Sequence, residues 1–371
     1  MIDELDLALV DALRVDPRAP WSRLAAPLGV DPATFSRRWA RLTAVGDAWV
    51  TCYPSTDRLG YGLTALVEVE CAADRVAAVA ARLARDPQTA SIELVTGSAD
   101  LLLTVGATEP ALLTRYVLDR VGAVPGVLRT RTALVERTVR EGSRWHDGAL
   151  DPEQREAIAA VPAAGGPAGG IGPAGAGARA ARVGRAGVEG PAGAGAQVGA
   201  ARGPGRQIIE DRSLLLALGE DGRMPYAELA QRTGLPATTV RRRLAELRDS
   251  GRLVLRCDAS PRLTGHPVGL FLWLDLPADR LESAAAWFAT LPQARMCAVT
   301  VGPANLVTYL MARQLSELRR LEEELARRFP GAGVRDRQLT LRAVKLVGRL
   351  LDDEGRATGY VPIDPWSPWP E

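Results

Sequence analysis

The sequence predicts an α+β chain of two like modules, each a winged helix-turn-helix followed by a ferredoxin-like βαββαβ sandwich. Three observations predict it. The first is a repeat: residues 6–52 align without a gap on 211–257, pairing Asp16/Asp221, Arg18/Arg223, Gly29/Gly234, Arg37/Arg242 and Gly46/Gly251. The same offset of 205 positions holds at Gly97/Gly302, Pro125/Pro330 and Gly126/Gly331. A period this long means tandem domains and not a solenoid, whose repeats run about 20–50 residues. The second is a change of periodicity within each copy, helical in front and alternating behind. The third is the run of Gly, Ala and Pro over 161–206 that separates the copies.

In copy one, Leu5, Leu9, Ala12 and Leu13 recur at helical spacing, and Asp16-Pro17 ends that helix. Residues 21–28 predict a second short helix, after which Gly29 lets the chain turn. Asp31-Pro32 reads as an N-cap followed by a proline at N1, starting a third helix with Phe35, Trp39 and Leu42 as its inner stripe. Copy two repeats the stripe with Val240, Leu244 and Leu247. Short strands follow at 49–53 and 253–257. Behind them come strand 62–71, helix 74–84, strands 91–96 and 101–105, helix 110–121 and strand 127–139. Copy two gives 266–276, 280–291, 296–301, 306–312, 315–329 and 334–350. A sheet with helices on one face leaves the other face to be covered, which favours pairing of the two copies.

The expected domains are helix-turn-helix 1–58, sandwich 59–150, linker 160–206, helix-turn-helix 207–263, sandwich 264–351 and tail 352–371. The linker composition, with five Arg against Glu189, cannot bury enough apolar surface to offset its ordering entropy, so disorder is expected. It would span roughly 35–40 Å, enough for the copies to fold back on each other. The tail, with two Trp and four Pro, is either loose or a strap over the second module.

Composition narrows the function. With 371 residues, 47% hydrophobic but 5% aromatic, the cores must be built from Leu, Val and Ala. A net charge of +2 requires any basic patch to be local. Four Cys without CxxC spacing, together with two His, make no metal pattern, and no cofactor is expected. Cys52 and Cys257, at equivalent positions, read as small buried thiols. Met1 leads into an acidic amphipathic segment and no apolar run reaches the roughly 18 residues of a membrane helix, so a cytoplasmic protein without membrane partners is expected.

A helix-turn-helix places its third helix in the major groove. With the apolar stripe inward, the outward face carries Ser36, Arg37 and Arg41 in copy one, and Thr238, Arg241 and Arg242 in copy two. These are the expected contacts to double-stranded DNA, Arg being able to bond guanine O6 and N7 together. Arg38 and Arg243 sit beside the stripe and read as braces or phosphate contacts. The window 232–256 holds seven Arg against two acids and its counterpart 27–51 three against two, so copy two is expected to supply most of the phosphate affinity.

With these residues the chain resembles the Lrp/AsnC (feast/famine) family of bacterial and archaeal transcriptional regulators. The resemblance rests on Leu5-Asp6 and Asp16-Pro17-Arg18, on Leu24-Ala25 and Gly29-Val30, and on Thr34-Phe35-Ser36-Arg37-Arg38-Trp39. It continues with Leu59-Gly60 and the turn Thr96-Gly97-Ser98-Ala99-Asp100, and copy two carries counterparts such as Thr239-Val240-Arg241-Arg242-Arg243 and Gly302-Pro303-Ala304-Asn305. It covers both modules but not the linker or tail. It implies DNA binding through the helix-turn-helix, and an amino-acid or similar effector near the Gly-x-x-Asp turn between sandwich domains. The effector candidates are Gly97, Ser98, Asp100, Gly302 and Asn305. A tight turn can offer N–H groups to a carboxylate and Asp100 could take an ammonium, a charge that Asn305 lacks. The family forms dimers, and here one chain could form an internal pseudo-dimer or pair with other chains. Two alternatives remain. Siroheme decarboxylases resemble the same two-module fold and would use His and Arg, but the only His are His146, expected in a tail, and His266, expected at a strand start. The other is a metabolite sensor acting through a protein partner.

Overall fold

The computed structural model describes residues 2–55, 62–160, 204–367 and 369. Most of the predicted linker, and the Leu59-Gly60 step, lie outside them. The last three linker residues, 204–206, already belong to a helix.

Copy one opens with α1 (Glu4–Val15), α2 (Trp21–Ala25) and α3 (Pro32–Ala44). Asp3 and Asp6 form a capping box at the start of α1, and Asp31 caps α3 by accepting from Ala33 N at 2.6 Å. Gly29, at φ 66°, makes the left-handed turn between α2 and α3. Then come β1 (Ala48–Pro54), β2 (Leu63–Cys71), α4 (Val76–Leu83), β3 (Thr89–Val95), β4 (Leu101–Ala107), α5 (Pro110–Arg115) and β5 (Val127–Arg140). Helix α6 (Pro152–Ala159) was not expected. Copy two runs α7 (Pro204–Glu220), α8 (Tyr226–Thr233), α9 (Ala237–Asp249), β6 (Leu253–Ala259) and the short α10 (Pro261–Thr264). It continues with β7 (Val268–Asp275), α11 (Leu281–Thr290), β8 (Ala294–Val301), β9 (Leu306–Ala312), α12 (Leu315–Arg328) and β10 (Gly333–Leu346).

The predicted final strand 334–350 stops early. Val347 and Gly348, at φ 48° and 81°, reverse the chain into β11 (Arg349–Leu351), and β12 (Ala357–Tyr360) pairs with that strand. The tail is therefore a strap, and it crosses onto copy one: Asp364 N donates to Pro87 O at 2.9 Å, and Trp369 meets Tyr116 edge-on at 5.7 Å. Asp364 also pairs with Arg212.

The two copies fold into one body. Each copy contributes one strand to the helix-turn-helix pair, and the ribbon is completed by the other copy: β1 runs antiparallel to β6, with Thr51 facing Arg256. Behind it the strands follow the order β3-β4-β2-β5-β8-β9-β7-β10, and β10 returns to β3, closing an eight-stranded barrel. The junctions β5–β8 and β10–β3 each join copy one to copy two. Helices α4 and α5 cover the outside of one sheet and α11 and α12 the other. The inner faces meet in a shared core of Leu66, Leu102 and Ala133 with Phe271, Trp273 and Val307. Closure removes the sheet edges and covers the face that a lone sandwich would expose.

Residues 141–150, expected as the end of copy one, and 151–160 beyond them form a brace. Trp145 is buried and its Nε1 donates to Pro292 O at 2.9 Å, while Ile158 enters the core around α1. Among the described residues no helix is long and apolar enough to cross a membrane. All four Cys are buried as free thiols, and burial raises the pKa of each.

Candidate nucleic-acid interface and effector site

The helix-turn-helix units are clasped through equivalent residues. Arg18 donates from Nη1 to Gly222 O at 2.5 Å and from Nη2 to Met224 O at 2.9 Å. Arg223 returns the contact, donating to Pro17 O at 2.7 Å and Ala19 O at 3.0 Å. Each guanidinium also lies over an aromatic ring of the opposite unit, Arg223 over Trp21 at 3.9 Å and Arg18 over Tyr226 at 5.1 Å. The exchange is isologous, as at a two-fold interface. The sequence signal for it is the identical Arg in the two Asp-x-Arg turns, which marks the repeat and the family resemblance but not a contact between the copies. Charge-assisted bonds of this kind contribute about 1.5–3 kcal/mol. Arg223→Ala is expected to lower stability by about that much in urea denaturation, and an unchanged midpoint would mean the clasp carries no weight.

On α3, Phe35 and Leu42 are buried and Trp39 is half-buried, as the stripe predicts. Ser36 is half-buried and Arg37 exposed, its Nη2 donating to Thr34 Oγ1 at 3.2 Å. Arg41 is outward-facing, but its guanidinium is bound by the fully buried Asp6 at 2.6 Å. The expectation that Arg41 reads bases is corrected on that ground: it braces α3 to α1. Arg38 does the same, bonding Asp3 and Asp6 at 2.7 and 2.9 Å. On α9, Thr238, Arg241 and Arg242 are exposed. Arg242 pairs along the helix with Glu246 at 2.6 Å, and Arg241 lies 5.1 Å from the Tyr226 ring centre.

The charge window of copy two is also revised. Arg232 pairs with Glu220 and Glu228, Arg243 with Asp211, Arg248 with Asp16, and Arg256 is buried beside Asp258. The acids that neutralise this window come mostly from outside it. What survives at the surface is Arg241 against Arg37, with Arg242 exposed but paired along its own helix with Glu246.

The Gly-x-x-Asp turns are engaged by the protein itself. Asp100 Oδ2 accepts from Cys71 N at 2.7 Å. At the equivalent place Asn305 Oδ1 accepts from Leu276 N at 2.9 Å and its Nδ2 donates to Leu276 O at 2.7 Å. Both side chains thus hold strand ends, which corrects the reading of Asp100 as an ammonium ligand and of Asn305 as an effector contact. The carboxylate expected at the Gly97 turn is already supplied: Asp336 of copy two accepts from Ser98 N at 3.0 Å, and a Cβ on Gly97 would come within 2.8 Å of it. Burial alone would raise the pKa of Asp336, yet these hydrogen bonds hold it below its usual range. Gly302 packs against Ala133, where a Cβ would meet the backbone at 2.9 Å. Gly97, Ser98 and Gly302 therefore serve contacts between the copies.

His266 packs against the brace segment on either side of His146. Asp147 pairs with Arg14 and lies 3.5 Å from His266 Nδ1, whose ring meets Trp145 edge-on at 5.3 Å. His266 Nδ1 also bonds Thr264 O at 2.9 Å. His146 is half-buried, and burial lowers its pKa.

The AsnC-type helix-turn-helix domain model matches residues 2–43 and 211–248, and the Lrp/AsnC ligand binding domain model matches 64–145. An uncharacterised HTH-type transcriptional regulator of Pyrococcus horikoshii is 30% identical over 145 residues, 38% of this chain and 97% of that protein. The HTH-type transcriptional regulator AldR of Mycolicibacterium smegmatis is 28% identical over 148 residues, 38% of this chain and 85% of its own. Each matches a stretch the length of one module. The solved siroheme decarboxylase NirDL, in complex with an iron-uroporphyrin III analogue, is similar over 93% of both chains with a TM-score of 0.53 and 14% identity, a likeness of fold alone. The chain belongs to the Lrp/AsnC family of DNA-binding transcriptional regulators, carrying two AsnC-type helix-turn-helix units in one polypeptide.

Proposed function

We propose that this regulator works as a covalent pseudo-dimer that reads a DNA site with unequal halves and answers to an amino acid or related small molecule. The observation that carries the reading is the reciprocal Arg18–Arg223 clasp with the β1–β6 ribbon, which fixes two helix-turn-helix units in one body while leaving their third helices exposed. Ser36 and Arg37 serve one half-site, and Thr238, Arg241 and Arg242 the other. Arg38, Arg41 and Arg243 set the helix positions. The reading is of a regulator, because both AsnC-type units present exposed Arg-bearing third helices that suit a duplex.

Binding of the purified chain to DNA upstream of its own coding sequence, across a salt series, tests it. A specific complex is expected, with a log–log slope of about 0.9 per phosphate contacted. No binding at low salt would overturn the regulator reading in favour of the decarboxylase or the protein-partner sensor. Arg242→Ala is expected to weaken binding more than Arg37→Ala, by about 1–3 kcal/mol against less than about 1. Arg242 has the exposed Arg241 beside it and gives up only a solvent-exposed pair with Glu246 on binding, whereas the Arg38 and Arg41 neighbours of Arg37 are held by the buried Asp6. Equal losses in titrations of the two variants would remove the asymmetry.

A further inference from the structure

We propose that the chamber inside the pseudo-dimer is a binding site for a small monocarboxylic acid with an apolar body. The chamber, of about 220 Å³, lies between the β1–β6 ribbon, the inner faces of both sheets and the C-terminal strap. Leu66, Val135, Phe271, Met296 and Ile363 give it apolar walls, and Tyr53, Glu93, Arg256, Arg295 and Tyr309 give it polar ones. A cavity of about 150 Å³ takes benzene, so this one has room for a ring or branched chain with a short acid arm.

The polar groups are buried and unbalanced. Arg256 and Arg295 are 8% and 7% exposed and share one carboxylate, Asp258. Glu93 is 5% exposed, and its Oε2 has no hydrogen-bond partner. Burial pushes the Glu93 carboxyl up to about 8, so at neutral pH it is mostly a buried donor without an acceptor. Glu141 lines the chamber but is only half-buried, and it accepts from Ser143 Oγ at 3.3 Å. A ligand carboxylate would accept from Glu93 and balance the guanidiniums. A ligand ammonium would add a third cation beside them.

The repeat shows that this cluster is not a requirement of the fold. Shifted by 205 positions, Glu93 corresponds to Ala298, Arg295 to Ala90, Asp258 to Tyr53 and Tyr309 to Thr104. Arg256 corresponds to Thr51, which it faces directly across the ribbon. In a true homodimer the residue on the axis would face itself, placing two Arg together in the interior. The tandem chain escapes that repulsion, and each charged member of the cluster occurs in one copy only. A symmetric core would pack without any of them.

Tyr53 and Arg256 belong to the ribbon that joins the helix-turn-helix units, so an occupant would bear on their relative position. That coupling rests on the regulator reading, but the binding site does not. Calorimetry of the full chain with phenylacetate, 3-phenylpropanoate and 4-methylpentanoate tests the site, with 3-phenylpropan-1-ol and 3-phenylpropylamine as matched controls. At least one acid is expected to bind saturably at one site, with its alcohol or amine roughly tenfold weaker or more. Arg295→Met and the wall-filling Ala298→Leu are each expected to weaken the acid by about tenfold or more, and Ala298→Leu leaves the buried charges in place. Saturable binding by none of the acids, equal binding of the alcohol, or an undiminished acid in folded Ala298→Leu would overturn the site. In DNA titrations the bound acid should change affinity in the parent chain and not in Ala298→Leu. Acid binding with unchanged DNA affinity would overturn the coupling, and acid binding with no DNA binding would overturn the regulator reading alone.

Discussion

Asp258→Asn is expected to cost about 3–5 kcal/mol of stability, because it leaves two buried guanidiniums without their shared counter-charge. Asp258 is 1% exposed. Arg256 Nε lies 2.7 Å from its Oδ2, and Arg295 pairs with its Oδ1. Burial alone would raise the pKa of Asp258, yet the two guanidiniums hold it below the ordinary carboxylate range. The loss would be read as a shift of the urea midpoint, and adding Arg295→Met to Asp258→Asn should recover much of it by removing one uncompensated charge. A single variant within about 1 kcal/mol of the parent would show that water reaches the cluster and screens it.

Glu93→Gln is expected to stabilise the chain at pH 8 and to leave it nearly unchanged at pH 4.5. Burial raises the Glu93 carboxyl from 4.5 to about 8. Between those values the unfolded chain has released the proton while the folded chain retains it, so stability falls as pH rises through the window. Above it both states are ionised and the loss is complete. At 1.36 kcal/mol per pH unit the ceiling is about 5 kcal/mol, and relaxation around the charge should bring it to about 2–4 kcal/mol. Lys345 acts in the opposite direction. Burial lowers it from 10.5 to about 7, with its Nζ donating to Asp86 O at 2.9 Å. Between about 7 and 10.5 the unfolded chain holds the proton that the folded chain has lost, so stability rises with pH there. Melts of parent and Glu93→Gln from pH 4 to 11 should separate the two arms, with the variant losing the falling arm and keeping the rising one. A falling arm of equal size in both would place its origin elsewhere.

Helices α6 and α10 and the β11–β12 hairpin were not legible in the sequence, but the repeat, the order of the main helices and strands in both copies, and the inner stripe of the third helices were. These are local properties. A cap acts within three residues, as Asp3 and Asp31 do, and an amphipathic period is complete within two turns. The sequence also placed Arg38 and Arg243 beside the stripe, as braces or phosphate contacts, because a residue's angle on a helix is fixed by its spacing, and both pair with acids of the first helix of their unit.

Which groups pair with which depends on contacts between distant parts of the chain. The spacing on α3 turns Arg41 toward DNA, but the Asp6 that neutralises it lies on another helix. The charge of the 232–256 window was overcounted for the same reason, since Asp16, Asp211 and Glu220 come from elsewhere in the chain. The Gly97 turn was legible as a place for a carboxylate, but not that Asp336, more than two hundred residues away, would fill it. The ribbon, the barrel closure and the chamber with Glu93 on one copy and Arg256 and Arg295 on the other are of this kind. Spacing along the chain fixes which way a side chain points, whereas charge balance and cavities are set by groups that meet only once both copies have folded together.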